Sequence, residues 1–275
     1  MNNRITLSTI LGILLKLVLI VIFVFPFYWI IVTAFKTYQE TLQFPPSLWP
    51  DKLIWENFVT VWESGPFPLY TRNSIVMSFS VLALQTILMV PAAFAFAKYE
   101  FKGRNFLFGL VMIAFMVPSQ VTFISIYNTM SKAKLLRTLW PQIIPFGANC
   151  FGTFLLRQTF KQVPDELLEC ARLDNATEMQ VLLKVMLPMG KPTLISILML
   201  SFIGNWNDYF WPFIMSVSTQ THPLTIGVAA LRDVEGAFQW HTIMAGNVIL
   251  VAPIVLVYIL FHKRIVRAFA YSGIK

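Results

Sequence analysis

Between Gly12 and Phe35 the chain carries a single charged side chain, Lys16. About 20 mostly apolar residues are enough to cross the hydrocarbon of a bilayer as a helix. Lys16, near the start of the run, can snorkel to the headgroups. Five further runs of similar character follow, so the expected crossings are 12–35, 73–97, 105–127, 138–160, 192–215 and 241–262. Lipid offers nothing to a bare N–H or C=O, so runs of this kind can cross only as helices whose bonds close internally. The fold class expected is therefore all-α: a polytopic membrane protein with six transmembrane helices, forming one domain over 1–275. Composition agrees, with 57% apolar residues, 12% charged residues and a mean hydropathy of +0.67. Several runs contain proline (Pro26, Pro118, Pro141 and Pro145), which predicts kinks or breaks. The first run is long and no small-residue cleavage site follows it, so it is expected to be retained as a crossing rather than removed as a signal peptide.

The net charge of +8 is spread along loops and tails, which suits contact with anionic headgroups rather than nucleic acid. With the N-terminus inside, 14 Lys and Arg fall on inner segments and 7 on outer ones. This bias puts both termini, and the segment 161–191, in the cytoplasm. The outer loop 128–138 runs against it, with Lys132, Lys134 and Arg137.

Lipid would reject the stretch from Arg157 to Lys191, which holds five basic and five acidic residues. Its local pattern is helix, turn, helix. Pro164 suits a helix start, and Asp165 and Glu166 follow where the helix dipole favours negative charge. Leu167, Cys170 and Ala171 share one face, and Asp165, Glu169 and Arg172 another. Asn175 tolerates a left-handed stop. Thr177 and Gln180 have the spacing of a capping box. Met179, Leu182, Leu183 and Met186 then form an apolar stripe, and Pro188 is expected to end the second helix. By pattern alone this is either a charged surface helix pair or a docking element.

The order Glu169-Cys170-Ala171, Asp174-Asn175-Ala176, Leu187-Pro188 resembles the EAA loop of bacterial ABC-importer permeases, with Cys170 in place of Ala and Asn175 in place of Gly. The resemblance extends to Leu155-Leu156-Arg157-Gln158 with Val163-Pro164-Asp165-Glu166-Leu167, to Asn205-Trp206-Asn207-Asp208 with Pro212, and to the tail from Val266 through Gly273. The order PPSLWPDKLIWENFVTVW resembles the short outer helix after the first crossing in sugar-importer permeases. Together these features are similar to the smaller permease of the maltose-type oligosaccharide branch. The resemblance implies that Asp165, Glu166, Glu169, Cys170, Ala171, Asp174, Asn175 and Ala176 form a cytoplasmic coupling helix and its turn, docking on an ATPase. It also implies the partners: two ATP-binding-cassette subunits holding ATP and magnesium, a second homologous permease as heterodimer, and an extracellular solute-binding protein. The setting is the bacterial inner membrane, crossed several times.

Polar residues inside an apolar run are costly and mark functional candidates. Asn205, Asn207 and Asp208 can bond sugar hydroxyls, and Trp206, Tyr209 and Trp211 can cover sugar C–H faces. Gln120 and Asn149 lie beside proline-broken segments that can line a cavity. The alternative is that these side chains bond neighbouring helices and fix the fold. Cys150 and Cys170 have no redox or metal spacing, and two small buried residues are expected. His222, His241 and His262 are scattered. Gly190-Lys191 lacks the rest of a phosphate loop, so no cofactor is expected in this chain and no catalysis by it. The function expected is passage of a sugar or oligosaccharide into the cytoplasm by alternating access, driven by separate ATPases. An ion-coupled secondary transporter or channel is the alternative; it predicts paired membrane carboxylates and inverted repeats, and none is visible.

Overall fold

The computed structural model describes residues 7–232 and 238–271. Among these the regular structure is helical. The helices are α1 (Leu7–Ala34), α2 (Tyr38–Leu42), α3 (Glu56–Glu63), α4 (Phe67–Lys98), α5 (Arg104–Met116), α6 (Ser119–Lys132), α7 (Cys150–Lys161), α8 (Asp165–Leu173), α9 (Glu178–Val181), α10 (Leu187–Asn207), α11 (Phe210–Met215), α12 (Leu224–Ala230) and α13 (Trp240–Tyr271). Arg4, Asp233 and the end of the tail, Ser272 to Lys275, lie outside the described residues.

Four helical segments among the described residues are long and apolar enough to cross a membrane: Leu11–Ala34, Phe67–Lys98, Glu178–Asn207 and Trp240–Leu260. The run expected at 105–127 is broken, since α5 and α6 meet at a 98° bend. Pro118 sits at the joint with extended backbone, where it cannot donate to the preceding turn. The stretch expected at 138–160 is continuously helical only from Cys150. Before it lie two short 3-10 turns, Trp140–Gln142 and Ile144–Phe146, each with a proline in its first turn. Pro188 does not end a helix. A π turn over Leu182–Met186, in which the Leu187 N–H reaches back to the Leu182 carbonyl, leads straight into α10. The widened turn lets the chain pass a residue that lacks an N–H, so Glu178–Asn207 runs as one 30-residue span.

The described chain packs as two compact units, whose boundaries fall within α4, α12 and α13. The first comprises residues up to Pro68 together with Gly227–Pro253. Here α1 shows an almost wholly exposed apolar surface from Leu11 to Phe27, as a lipid-facing helix should. Its last carbonyls would be orphans. The α3 side chain Asn57 donates from Nδ2 to Ala34 O and Lys36 O, both at 2.9 Å. Thr37 and Glu40 close a capping box on α2. Helix α3 falls within the tryptophan-rich stretch expected to hold a short helix.

The second unit comprises Leu69–Ile226 and the chain from Ile254. Its core joins Met89, Ala93 and Phe94 of α4, Leu156 and Phe160 of α7, Leu168 of α8, Val181 to Met186 of the π turn region, and Leu194 and Ile197 of α10. Helices in lipid gain little from hydrophobic drive and associate by close contact, often at small residues. Gly190 is such a contact, because a Cβ there would stand 2.5 Å from Phe160 Cε1 and 3.1 Å from Leu156 Cδ1. Both of those side chains are fully buried and have nowhere to move. Gly190→Leu should cost about 1–3 kcal/mol, read as a lower thermal unfolding midpoint in detergent. Gly204→Leu on the same helix meets open space and should leave the midpoint unchanged.

Candidate functional site

The charged segment forms a hairpin. Pro164 has extended backbone, and α8 begins at Asp165 with Asp165 and Glu166 in its first turn. The helix ends as the sequence suggests: Asn175 has φ +58°. The wrap is a Schellman motif, with the Ala176 N–H bonded to Ala171 O and the Asn175 N–H to Arg172 O, both at 3.0 Å. Ala171 and Ala176 are half-buried and pack on the core of this unit. Thr177 and Gln180 close a capping box that starts α9.

The face grouped in sequence as Leu167, Cys170 and Ala171 is divided in the structure. Leu168 is buried, whereas Leu167 and Cys170 are exposed. Leu168 and Ala171, three residues apart, pack on the core, and Cys170 points away from it. The expectation of two buried cysteines therefore fails at Cys170; Cys150 is half-buried and both are free. The expected apolar stripe also divides. Val181, Leu182 and Met186 are buried, while Met179 and Leu183 are exposed. The outer surface of the hairpin thus combines acidic Glu166, Glu169 and Asp174 with bare apolar Leu167, Leu173 and Met179.

Two clasps hold the hairpin to the end of α4. Lys98, whose side chain is buried, donates from Nζ to Asp165 Oδ1 at 2.6 Å and to Val163 O. The Tyr99 hydroxyl donates to Glu178 Oε2, and Arg172 Nε donates to Glu178 Oε1 at 2.9 Å. The bond to Glu178 raises the Arg172 pKa. Burial, and then the Glu178 carboxylate, push the Tyr99 phenol above its ordinary value. Neither Lys98 nor Tyr99 stood out in the sequence, since nothing in a run ending Ala97-Lys98-Tyr99 shows what lies across from it.

The second candidate group surrounds the end of α10. Asn205 donates to Ser201 O at 2.7 Å, and Asn207 to Ile203 O at 3.1 Å. The Asp208 carboxylate accepts from the Trp211 N–H at 3.3 Å, capping α11, while the Thr225 hydroxyl donates to Asp208 O at 2.9 Å. Trp206 and Trp211 are buried, and Trp211 meets Phe146 edge-on. Tyr209 is exposed and stacks on Phe213. Asn149 caps α7 through a 2.7 Å bond from the Gly152 N–H and donates to Ser201 Oγ at 3.0 Å. Gln120 is exposed on α6. A cavity of about 10 Å³ brings together Asn205, Asp208, Trp211 and Gln142. That is room for one water, not for a sugar ring. The buried Gln142 Oε1 has no protein partner, which suits such a water.

Residues 88–271 match the family described as "Binding-protein-dependent transport system inner membrane component". The sn-glycerol-3-phosphate transport system permease protein UgpE of Yersinia pestis bv. Antiqua (strain Antiqua) is 30% identical over 260 residues, covering 92% of each chain. The arabinooligosaccharides transport system permease protein AraQ of Halalkalibacterium halodurans is 31% identical over 259 residues, covering 92% of this chain and 91% of that one. The fold is also that of a chain in the crystal structure of a bacterial ABC transporter involved in the import of the acidic polysaccharide alginate. There the TM-score is 0.85 at 21% identity, over 96% of this chain and 98% of that one. The chain belongs to the family of inner membrane components of binding-protein-dependent transport systems.

Proposed function

We propose that this chain is the non-catalytic permease subunit of an ATP-binding-cassette importer that passes a sugar or oligosaccharide into the cytoplasm by alternating access. In this reading the whole chain acts as a single permease domain with six crossings, the broken α5–α6 pair and the segment ending in α7 serving as two of them. Both termini and the hairpin lie in the cytoplasm. Two ATPase subunits hold ATP and magnesium, a homologous permease completes the pathway as a heterodimer, and an external binding protein delivers the solute. The relatives named for arabinooligosaccharides and sn-glycerol 3-phosphate support a hydroxyl-rich cargo.

The observation that carries the reading is the hairpin's surface. Leu167, Leu173 and Met179 are left bare beside Glu166 and Glu169, on an element braced to α4 by Lys98 and Tyr99. Exposed apolar groups rimmed by charge mark a protein partner. Thrust on such an element reaches α4 through the clasps and α10 through the continuous helix. In this scheme Asp165 and Asn175 shape the element, and Glu166, Glu169, Cys170 and Asp174 face the ATPase.

Glu169→Lys should reduce ATP-driven uptake to background while leaving the amount of protein in the membrane unchanged; near-normal uptake would remove the coupling role. Asp208 separates a structural from a charge-dependent part in the pathway. As a cap it contributes about 0.5–2 kcal/mol, and asparagine caps as well as aspartate. Asp208→Asn should therefore keep uptake and complex yield, and Asp208→Ala should lose both. Loss in both variants would point instead to a need for the carboxylate itself, as an ion-coupled carrier requires.

A further inference from the structure

Lys36, two residues beyond α1, is 1% exposed. Lysine is almost never buried this fully unless paired, and a buried charge with no counter-ion is unfavourable. Among the described residues the carboxylates in ion-pairing contact are Asp165 and Glu178, both in the other unit, so Glu40 acts on Lys36 only at longer range. Lys36 Nζ instead donates to Ser47 O and stands 4.6 Å from the centre of the Trp29 ring. An ammonium has three donors, so donor capacity is left over.

A cavity of about 290 Å³ opens beside it, lined by Trp29, Thr33, Lys36, Glu40, Trp240 and Met244 among others. The size is near the lower end of ordinary small-molecule sites, about 300–1,000 Å³. Thr33 is 5% exposed and its hydroxyl has no partner. Ser47 Oγ, on the residue whose carbonyl holds Lys36, is also buried and unpartnered. Glu40 lies four residues from Lys36, its carboxylate accepting from the Thr37 and Asp51 N–H groups at 2.7 and 2.8 Å. Burial acts to raise the Glu40 pKa, but those bonds and the Lys36 charge outweigh it and hold the group below its ordinary value. The cavity therefore presents one cation and one anion. It sits where α1 leaves its apolar run and α13 enters its own, with tryptophans on both, as at a membrane interface. Leading away from it is the bare apolar surface of α1, including Phe25, Phe27 and Ile31.

We infer that this cavity is a binding site for a zwitterionic phospholipid, with the headgroup phosphate on Lys36 and Thr33, the headgroup ammonium toward Glu40, and the acyl chains along α1. A phosphate supplies the charge-assisted acceptors that Lys36 lacks, and the neighbouring Glu40 supplies the opposite charge that a zwitterionic headgroup needs. A soluble phosphate ester shares the phosphate but would leave the α1 surface and Glu40 unused.

The test is native mass spectrometry of the full chain, purified in mild detergent with the subunits that accompany it and exposed to phosphatidylethanolamine or phosphatidylglycerol. The wild-type protein should retain one tightly held phosphatidylethanolamine, in preference to phosphatidylglycerol. Lys36→Met should lose that lipid, and the milder Thr33→Val, which keeps the charge and the packing, should release it at lower activation. Equal retention of the two lipids, or equal retention by wild type and Thr33→Val, would overturn the assignment. So would displacement of the lipid by sn-glycerol 3-phosphate, which would make the site one for soluble phosphate. The wild-type measurement stands even if Lys36→Met fails to fold. It involves neither the hairpin nor uptake, so its outcome is separate from that of the transport reading.

Discussion

Hydrocarbon cannot hydrogen-bond to a freed peptide group, and this chain breaks its helices several times. Several of these breaks are closed by a side chain or by a change of helical pitch. Asn149 accepts the Gly152 N–H where α7 starts after a non-helical stretch. Asp208 accepts the Trp211 N–H between α10 and α11. The π turn before Pro188 keeps the helix running where an α turn would have lost its donor. Asn57 reaches from α3 to the last carbonyl of α1 and to that of Lys36 just beyond it.

That explains which parts of the structure were legible beforehand. The apolar runs announced helices because length and hydropathy are properties of a segment alone. The hairpin was legible for the same reason: Asn175 at the turn and the Thr177–Gln180 box are short-range devices. Helix phase was less legible. Leu167 and Leu168 are both apolar, and only the position of the core decides which is buried. In the same way Met179 and Leu183 face outward while Val181, Leu182 and Met186 are buried.

The polar residues at 205–208 and at 149 gave an ambiguous signal, because a sugar ligand and a helix break call for the same side chains. In the structure Asn149, Asn205 and Asp208 spend their hydrogen bonds on the fold. Tyr209, Asn207 and Gln120 remain exposed. Lys98, Tyr99 and Lys36 were missed because their importance comes from residues far along the chain or from burial, neither of which a local pattern records.

The helix from Glu178 to Asn207 has 30 residues. At about 1.5 Å per residue it is roughly 45 Å long, against roughly 30 Å of hydrocarbon. Even a tilted rod of that length stands proud of the bilayer, and its protruding end is the outgoing arm of the charged hairpin. The hairpin is therefore no appendage hung on a flexible tether. It is the exposed butt of one continuous shaft whose other end is apolar enough to lie in lipid.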